Sequence, residues 1–409
     1  MFVLANLCLL NFCTGQLFDI DSILDGLSNE GVNQRWQPPM CIHDVPTPIY
    51  FEDETERMHC YEEVARSGSE HPDLNKRANE VIKAYGYNLV TYTNVTKDGY
   101  ILTTFRITGS NKSPPKKGKP VVLLFHGLGA ASDQWVLQHG DRNLAIYDFP
   151  AILDLISAET GDEKIYFIGH SMGGSIYAVA LAEMPELNQR VHAGFLLAPA
   201  LFIGHSYTPY RILQPLLELP PHIQAMLNVA MRGRVDRANP AAALSPARLC
   251  SPTALRCGLC GDAIFYMYGY DGPQINFTNV PNILSKVSNS HSFKTLIHYG
   301  QNFRSCLFRK YDYGRRENLK LYGQEQPPSY NLDKIVAPTY IYYGDLDNFV
   351  PPIDVGITRD ALPKETVKGY FRVKWKLFNH VDFVIAKDAD ILVYDGILGI
   401  LEDYKFGRR

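Results

Sequence analysis

The chain has 409 residues, 46% of them hydrophobic and 20% charged, which allows one α/β domain with a large buried core and an insertion. Its formal net charge of −3 argues against a nucleic-acid partner. The Lys116-Lys117-Gly118-Lys119 cluster, flanked by prolines, reads as a solvated loop.

In chain order, Met1 to Gly15 contains an apolar run, Phe2 to Cys13, too short to span a membrane. Small residues at Cys13 and Gly15 then suit a signal peptide over 1–15, cut before Gln16. No other segment is apolar enough to be a transmembrane anchor. Residues 16–70 form an N-terminal extension with Trp36 and few periodic runs, either a propeptide or a strap on the body. From residue 78 the pattern predicts a helix, a strand at Leu89 to Val95, a Lys97-Asp98-Gly99 turn and a strand at Tyr100 to Thr108, together a hairpin. Apolar runs predict further strands at 121–125, 164–168, 193–197, 338–343 and 370–377. Helices are expected at about Tyr147 to Ala158 and at Ala389 to Glu402. Strands alternating with helices imply a mostly parallel sheet.

The 121–125 run ends in His126-Gly127-Leu128-Gly129, a loop whose backbone N–H at Leu128 can face a developing oxyanion. His126 is read as a brace for these glycines and not as a base. The 164–168 run ends in Gly169-His170-Ser171-Met172-Gly173 and leads into an apolar helix. That is the form of a strand-to-helix corner exposing a serine nucleophile, with the N–H of Met172 as a second oxyanion donor. Downstream, Gly344-Asp345-Leu346-Asp347 leaves a strand end, and Asn379-His380-Val381-Asp382 leaves another. The order Ser, Asp, His matches the α/β-hydrolase triad. Ser171, Asp347 and His380 are therefore the candidate catalytic residues. Asp345 and Asp382 compete for the acid's place; the Gly-x-x-Asp spacing favours Asp347, and Asp382 lies too close in sequence to His380 to face its ring easily.

Between the strands at 193–197 and 338–343 lies a connection too long for a simple loop, and 202–330 is read as a cap or lid insertion. The hydrolase core is then 71–201 with 331–409. Within the cap, Tyr210 to Pro221 and His222 to Met231 are proline-separated helical pieces. Their apolar stripes, and those of Phe293, Leu296, Ile297 and Tyr299, suit either an ordinary core or a lining for an acyl chain. Six cysteines remain after the signal: Cys41, Cys60, Cys250, Cys257, Cys260 and Cys306. Cys41 with Cys60, and Cys250 with Cys257 or Cys260, are the expected disulfides. No second Cys or His pair accompanies Cys257-Gly-Leu-Cys260, so no metal site is assigned. Asn94 and Asn276 stand in glycosylation sequons; Asn111, followed by Pro114 after its sequon, is the weaker acceptor.

Taken together, Tyr85-Gly86-Tyr87, Asp98-Gly99-Tyr100, His126-Gly127-Leu128, Tyr147-Asp148-Phe149-Pro150, Gly169-His-Ser-Met-Gly173, Leu197-Ala-Pro199, Tyr311-Asp-Tyr-Gly314 and Asn379-His-Val-Asp-Phe383 resemble the acid lipase family. That group holds gastric and lysosomal lipases and many secreted insect lipases. The resemblance runs from about His71 to the C-terminus. It implies an α/β-hydrolase fold with a helical cap before the acid-bearing strand, and hydrolysis of neutral lipid esters, triacylglycerol or steryl ester, at a droplet or micelle surface. It also implies no metal or organic cofactor, and a secreted or, alternatively, a lysosomal location. It lapses in one place. After Asn143-Leu144-Ala145 the family would continue through a helix end, a core strand and a Gly-Asn-x-Arg-Gly loop before resuming at Tyr147. One core strand, due between the hairpin and the 121–125 strand, is therefore expected to be missing, which leaves a catalytically weak or inactive lipid-binding relative as the alternative reading.

Overall fold

The computed structural model describes residues 76–128, 147–208, 264–276 and 291–408, with isolated positions beside them such as Asp73, Gln134 and Asn282. The expected signal peptide, the 16–70 extension, the cap helices at Tyr210 to Met231 and the cysteines before Cys306 lie outside the described residues.

Helix α1 (Ala78–Ala84) leads into β1 (Tyr87–Val95) and β2 (Ile101–Ser110), which pair antiparallel with Leu89 opposite Ile107 and Val95 opposite Ile101. The turn between them has Gly99 at φ 89°, a left-handed position that glycine occupies without strain. Then follow β3 (Val122–Phe125), α2 (Phe149–Thr160), β4 (Ile165–His170), α3 (Met172–Glu183) and β5 (Val191–Leu197). Two-residue strands β6 (Arg234–Val235) and β7 (His291–Ser292) pair with each other just before α4 (Phe293–Ser305). The domain closes with β8 (Thr339–Tyr343), α5 (Pro352–Ala361), β9 (Val367–Arg372) and α6 (Asp395–Lys405).

Five strands form one parallel sheet in the order β3-β4-β5-β8-β9. Every residue of β4 is buried, as expected of a strand covered on both faces. Its side chains alternate between two cores. Ile165 and Phe167 join Phe149, Leu153, Ile176, Tyr177 and Leu181 of α2 and α3 on one face. Tyr166 and Ile168 join Phe195, Tyr340, Phe383, Ile397 and Leu401 on the other. This is the α/β-hydrolase fold.

Two elements depart from expectation. The strand expected at 370–377 is β9, starting earlier and ending at Arg372. Val373 still donates to the Tyr343 carbonyl at 2.9 Å, but Trp375 turns away to donate its indole N–H to Asp271 at 2.9 Å, which ends the ladder. The C-terminal helix begins at Asp395, after a π-helical turn over Asp390–Tyr394.

The missing strand leaves a visible mark. Among the described residues β3 pairs only with β4, and β2 only with β1, so each keeps one free edge. A cavity of about 990 Å³ separates the two edges, lined by Ile101 to Thr108, Val121 to Phe125, and Ile152, Ile156 and Glu159 of α2. Leu124, on what would be an interior strand, is 43% exposed, and Ile107 across the gap is 49% exposed. The hairpin is held instead by side chains reaching α2: Tyr92 donates to Glu159 at 2.8 Å, Arg106 to the Glu159 carbonyl at 3.3 Å and Asn94 to the Ala151 carbonyl at 3.3 Å.

Candidate active site

The turn carrying Ser171 is built by steric necessity. Ser171 sits at φ 55°, ψ −114°, a conformation non-glycine residues avoid, between the end of β4 and the start of α3. The turn is fixed by its own backbone: Ser171 donates to the Leu197 carbonyl, and its carbonyl accepts from Gly174 and Ala200. A side chain at Gly173 would come within 2.6 Å of the Phe125 carbonyl oxygen, so the α3 start can approach β3 this closely only with glycine there.

Ser171 lies 2.8 Å from His380 Nε2, and His380 Nδ1 lies 2.8 Å from Asp347 Oδ2. All three residues are buried. Because a carboxylate can only accept, the His380 proton is held on Nδ1 and Nε2 is left to accept from the Ser171 hydroxyl. The other oxygen of Asp347 accepts from the backbone N–H of Phe349 and Val350, at 2.8 and 2.6 Å. Burial raises the Asp347 carboxyl above its ordinary value, with His380 and those two amides pulling the other way. The His380 ring is packed by Phe349, centroids 4.8 Å apart, and by Tyr268, stacked at 5.9 Å.

The rival acids are placed elsewhere. Asp345 is bound by the Arg372 guanidinium near the surface. Asp382 turns away from the imidazole and accepts the Asn379 backbone N–H at 2.6 Å.

The loop expected to supply an oxyanion donor is close by. A side chain on Gly127 would lie 3.2 Å from the Ser171 Cβ, so Leu128 follows directly on a backbone pressed against the serine, while Met172 is the first residue of α3. Gln134 and His170, which sequence reasoning did not single out, brace this loop. The Gly127 N–H donates to Gln134 Oε1 at 2.7 Å, Gln134 Nε2 donates to His170 Nδ1 at 3.1 Å, and His170 Nε2 donates to the His380 carbonyl at 2.8 Å. Only a neutral His170 with its proton on Nε2 satisfies both neighbours, and burial with the adjacent His380 pushes it down to about 3. His126 donates from Nδ1 to the Gly127 carbonyl and is pushed down to about 4 by burial, so it stays neutral. His170 lies inside the serine motif and was open to notice. Gln134 has no local signal.

In the region expected to form the cap, Phe293, Ile297, Tyr299 and Phe303 of α4 are buried. The Tyr299 hydroxyl meets Ser175 of α3 at 3.2 Å, and Phe303 packs on Phe349, which itself touches His380. Of the expected glycosylation acceptors Asn276 is exposed, whereas Asn94 is half-buried with its amide nitrogen engaged at Ala151.

Residues 78–139 match the family described as "Partial alpha/beta-hydrolase lipase region", and 126–245 match "Serine aminopeptidase, S33". Lipase 3 of Drosophila melanogaster is 29% identical over 370 residues, covering 80% of this chain and 93% of the relative. Human gastric triacylglycerol lipase is 26% identical, covering 82% and 93%, and human lysosomal acid lipase/cholesteryl ester hydrolase is 26% identical, covering 82% and 92%. The chain is similar to the acid lipases. The comparison also sizes a deficit: 80% of 409 residues is about 327, so roughly forty of the 370 positions aligned with Lipase 3 have no residue of this chain opposite them.

Proposed function

We propose that the chain is a serine carboxylic-ester hydrolase acting on neutral lipids, triacylglycerol or steryl ester, through an acyl-enzyme. The hydrogen-bonded series Ser171–His380–Asp347, two contacts of 2.8 Å in a buried site, is the observation that carries this reading. His380 takes the Ser171 proton as the hydroxyl attacks the ester carbonyl, and Asp347 steadies the imidazolium. The N–H groups of Leu128 and Met172 receive the developing oxyanion, one such donor contributing typically ~3 kcal/mol of barrier lowering. His380 then gives its proton to the departing alcohol. Water, deprotonated by the same ring, releases the fatty acid. No cofactor enters this sequence.

A lipid substrate is supported by the relatives' names, two of which specify a triacylglycerol lipase and a cholesteryl ester hydrolase. We assign 202–330 as the cap over the site. Secretion is supported by the N-terminal apolar run and by the disulfide at Cys306. Among the described residues no helix is long and apolar enough to cross a membrane. Rates on emulsified triolein, on a steryl ester and on a water-soluble short-chain ester test the assignment. Absence of hydrolysis on all three, from folded protein, would overturn it.

The second reading is a lipid-binding relative with weak or no catalysis, favoured by the open gap beside β3, the strand whose end carries the oxyanion loop. Folded protein that binds emulsion but hydrolyses none of the three esters would select it.

A further inference from the structure

Asp271 and Asp382 are both fully buried, at 0% exposure, and neither belongs to the triad. Each uses one oxygen on a protein donor: Asp271 Oδ1 accepts from Trp375 Nε1 at 2.9 Å, and Asp382 Oδ2 accepts from the Asn379 N–H at 2.6 Å. The two remaining oxygens, Asp271 Oδ2 and Asp382 Oδ1, are buried without a hydrogen-bond partner, and the two carboxyl groups are near enough to act on each other electrostatically. Two buried carboxyl groups side by side do not both ionise, and a single proton between them satisfies both oxygens.

The pair joins two segments that otherwise meet at the catalytic histidine. On one side are residues 268–271; on the other is the loop 378–382. Tyr268 stacks on His380 and its carbonyl accepts the His380 N–H at 3.4 Å, Asn379 Nδ2 donates to the Gly269 carbonyl at 2.9 Å, and Asn348 of the acid loop donates to the Tyr268 carbonyl at 3.1 Å. Gly269, at φ 112°, runs so close to Leu346 that a side chain there would collide with its carbonyl oxygen. The 268–271 segment is thus stitched between the loop of Asp347 and the loop of His380.

We propose that Asp271 and Asp382 share one proton as an acid–carboxylate clasp, and that this clasp positions His380, so that the triad stays assembled only while the proton is bound. The positioning role rests on the reading of His380 as the base. Burial, then the charge of Asp271 and that of Asp347, push the Asp382 carboxyl well above its ordinary value, and burial also raises Asp271. Around the pair stand Asp347 and His380 on the triad side. Beyond Gln274 lie Asp388, which accepts from Gln274 Nε2 at 2.9 Å, and Lys387, whose N–H donates to the Gln274 carbonyl. A carboxyl raised in the folded state stabilises that state below its unfolded value and loses this as pH climbs through the folded value. Alkali should therefore open the clasp.

The deciding variant is Asp382→Asn, whose amide keeps an acceptor for Asn379 and a permanent donor toward Asp271. Thermal midpoint and turnover of a short-chain ester are measured against pH for the wild type, Asp382→Asn and Asp382→Ala. The wild type should lose both on the alkaline side. Asp382→Asn should hold them at least one pH unit further, and Asp382→Ala should fall on the order of 100-fold in turnover at every pH through displacement of His380. An Asp382→Asn profile superimposed on the wild type, or one as damaged as Asp382→Ala, overturns the proposal. The thermal midpoint needs no substrate, so a flattened alkaline arm in a chain that hydrolyses nothing supports the shared proton while refuting the hydrolase reading.

Discussion

Filling the gap between β2 and β3 should strengthen the fold more than any point substitution. The perturbation is to insert, between Ala145 and Tyr147 where the family pattern lapses, a segment of roughly forty residues, the number this chain lacks against Lipase 3. A strand entering the cavity meets the four residues of β3 and a similar length of β2, about eight ladder bonds in all, at ~0.5–1.5 kcal/mol net each. It would also cover Leu124 and Ile107, now 43% and 49% exposed. The gross gain, ~4–12 kcal/mol, is of the order of a domain's whole stability, ~5–15 kcal/mol. Ordering the inserted residues costs ~1–2 kcal/mol apiece, and the segment's own apolar burial has to offset that cost before any of the ladder gain is left over. A net gain of ~3 kcal/mol would raise the midpoint by roughly 3–4 °C in a chain of this size. Calorimetry of the short and extended forms reads this directly, with turnover on emulsified triolein alongside. Equal midpoints, equally cooperative transitions and equal turnover would refute the inference that the free edges weaken the sheet.

Ser171→Ala should fold with an unchanged melt and lose nearly all ester hydrolysis, and an organophosphonate should label the wild-type serine by mass spectrometry; labelling elsewhere rejects the assignment. Asp347→Asn should cost on the order of 10⁴ in turnover by disturbing the histidine tautomer. Asp345→Asn, which breaks only the outer contact with Arg372, should cost less than about threefold, since exposed ion pairs contribute ~0–1 kcal/mol. The acid side carries its own signature. His170 is held neutral well below the ordinary histidine value, so the unfolded chain takes up its proton first and stability falls as pH drops from about 6.5 toward 3. His170→Asn should flatten that arm of the melting profile.

The strands and the serine turn were legible because each is local. Period-two hairpin residues, all-apolar runs and glycines around Ser171 declare themselves within a few positions. The end of β9 was not, since Trp375 leaves the strand for a carboxylate about a hundred residues earlier in the chain. Gln134 was hidden for the same reason, its role resting on partners at 127 and 170. Asp382 was weighed as an acid because it neighbours the histidine. Its work lies in the opposite direction, toward Asp271, a contact no spacing rule encodes. The absent strand was readable only against a family pattern, and the structure expresses it as two free edges facing a cavity.

The backbone at Ser171 has a consequence for how this site can be changed. A residue held at φ 55°, ψ −114° carries a penalty of ~1–3 kcal/mol that alanine would share and glycine would escape. Random mutation screened for thermal resistance alone should therefore favour glycine at this position, and the most heat-tolerant descendants would be inert toward esters. Selection for activity has to oppose that drift continually, which makes the serine a place where durability and chemistry pull the same residue in opposite directions.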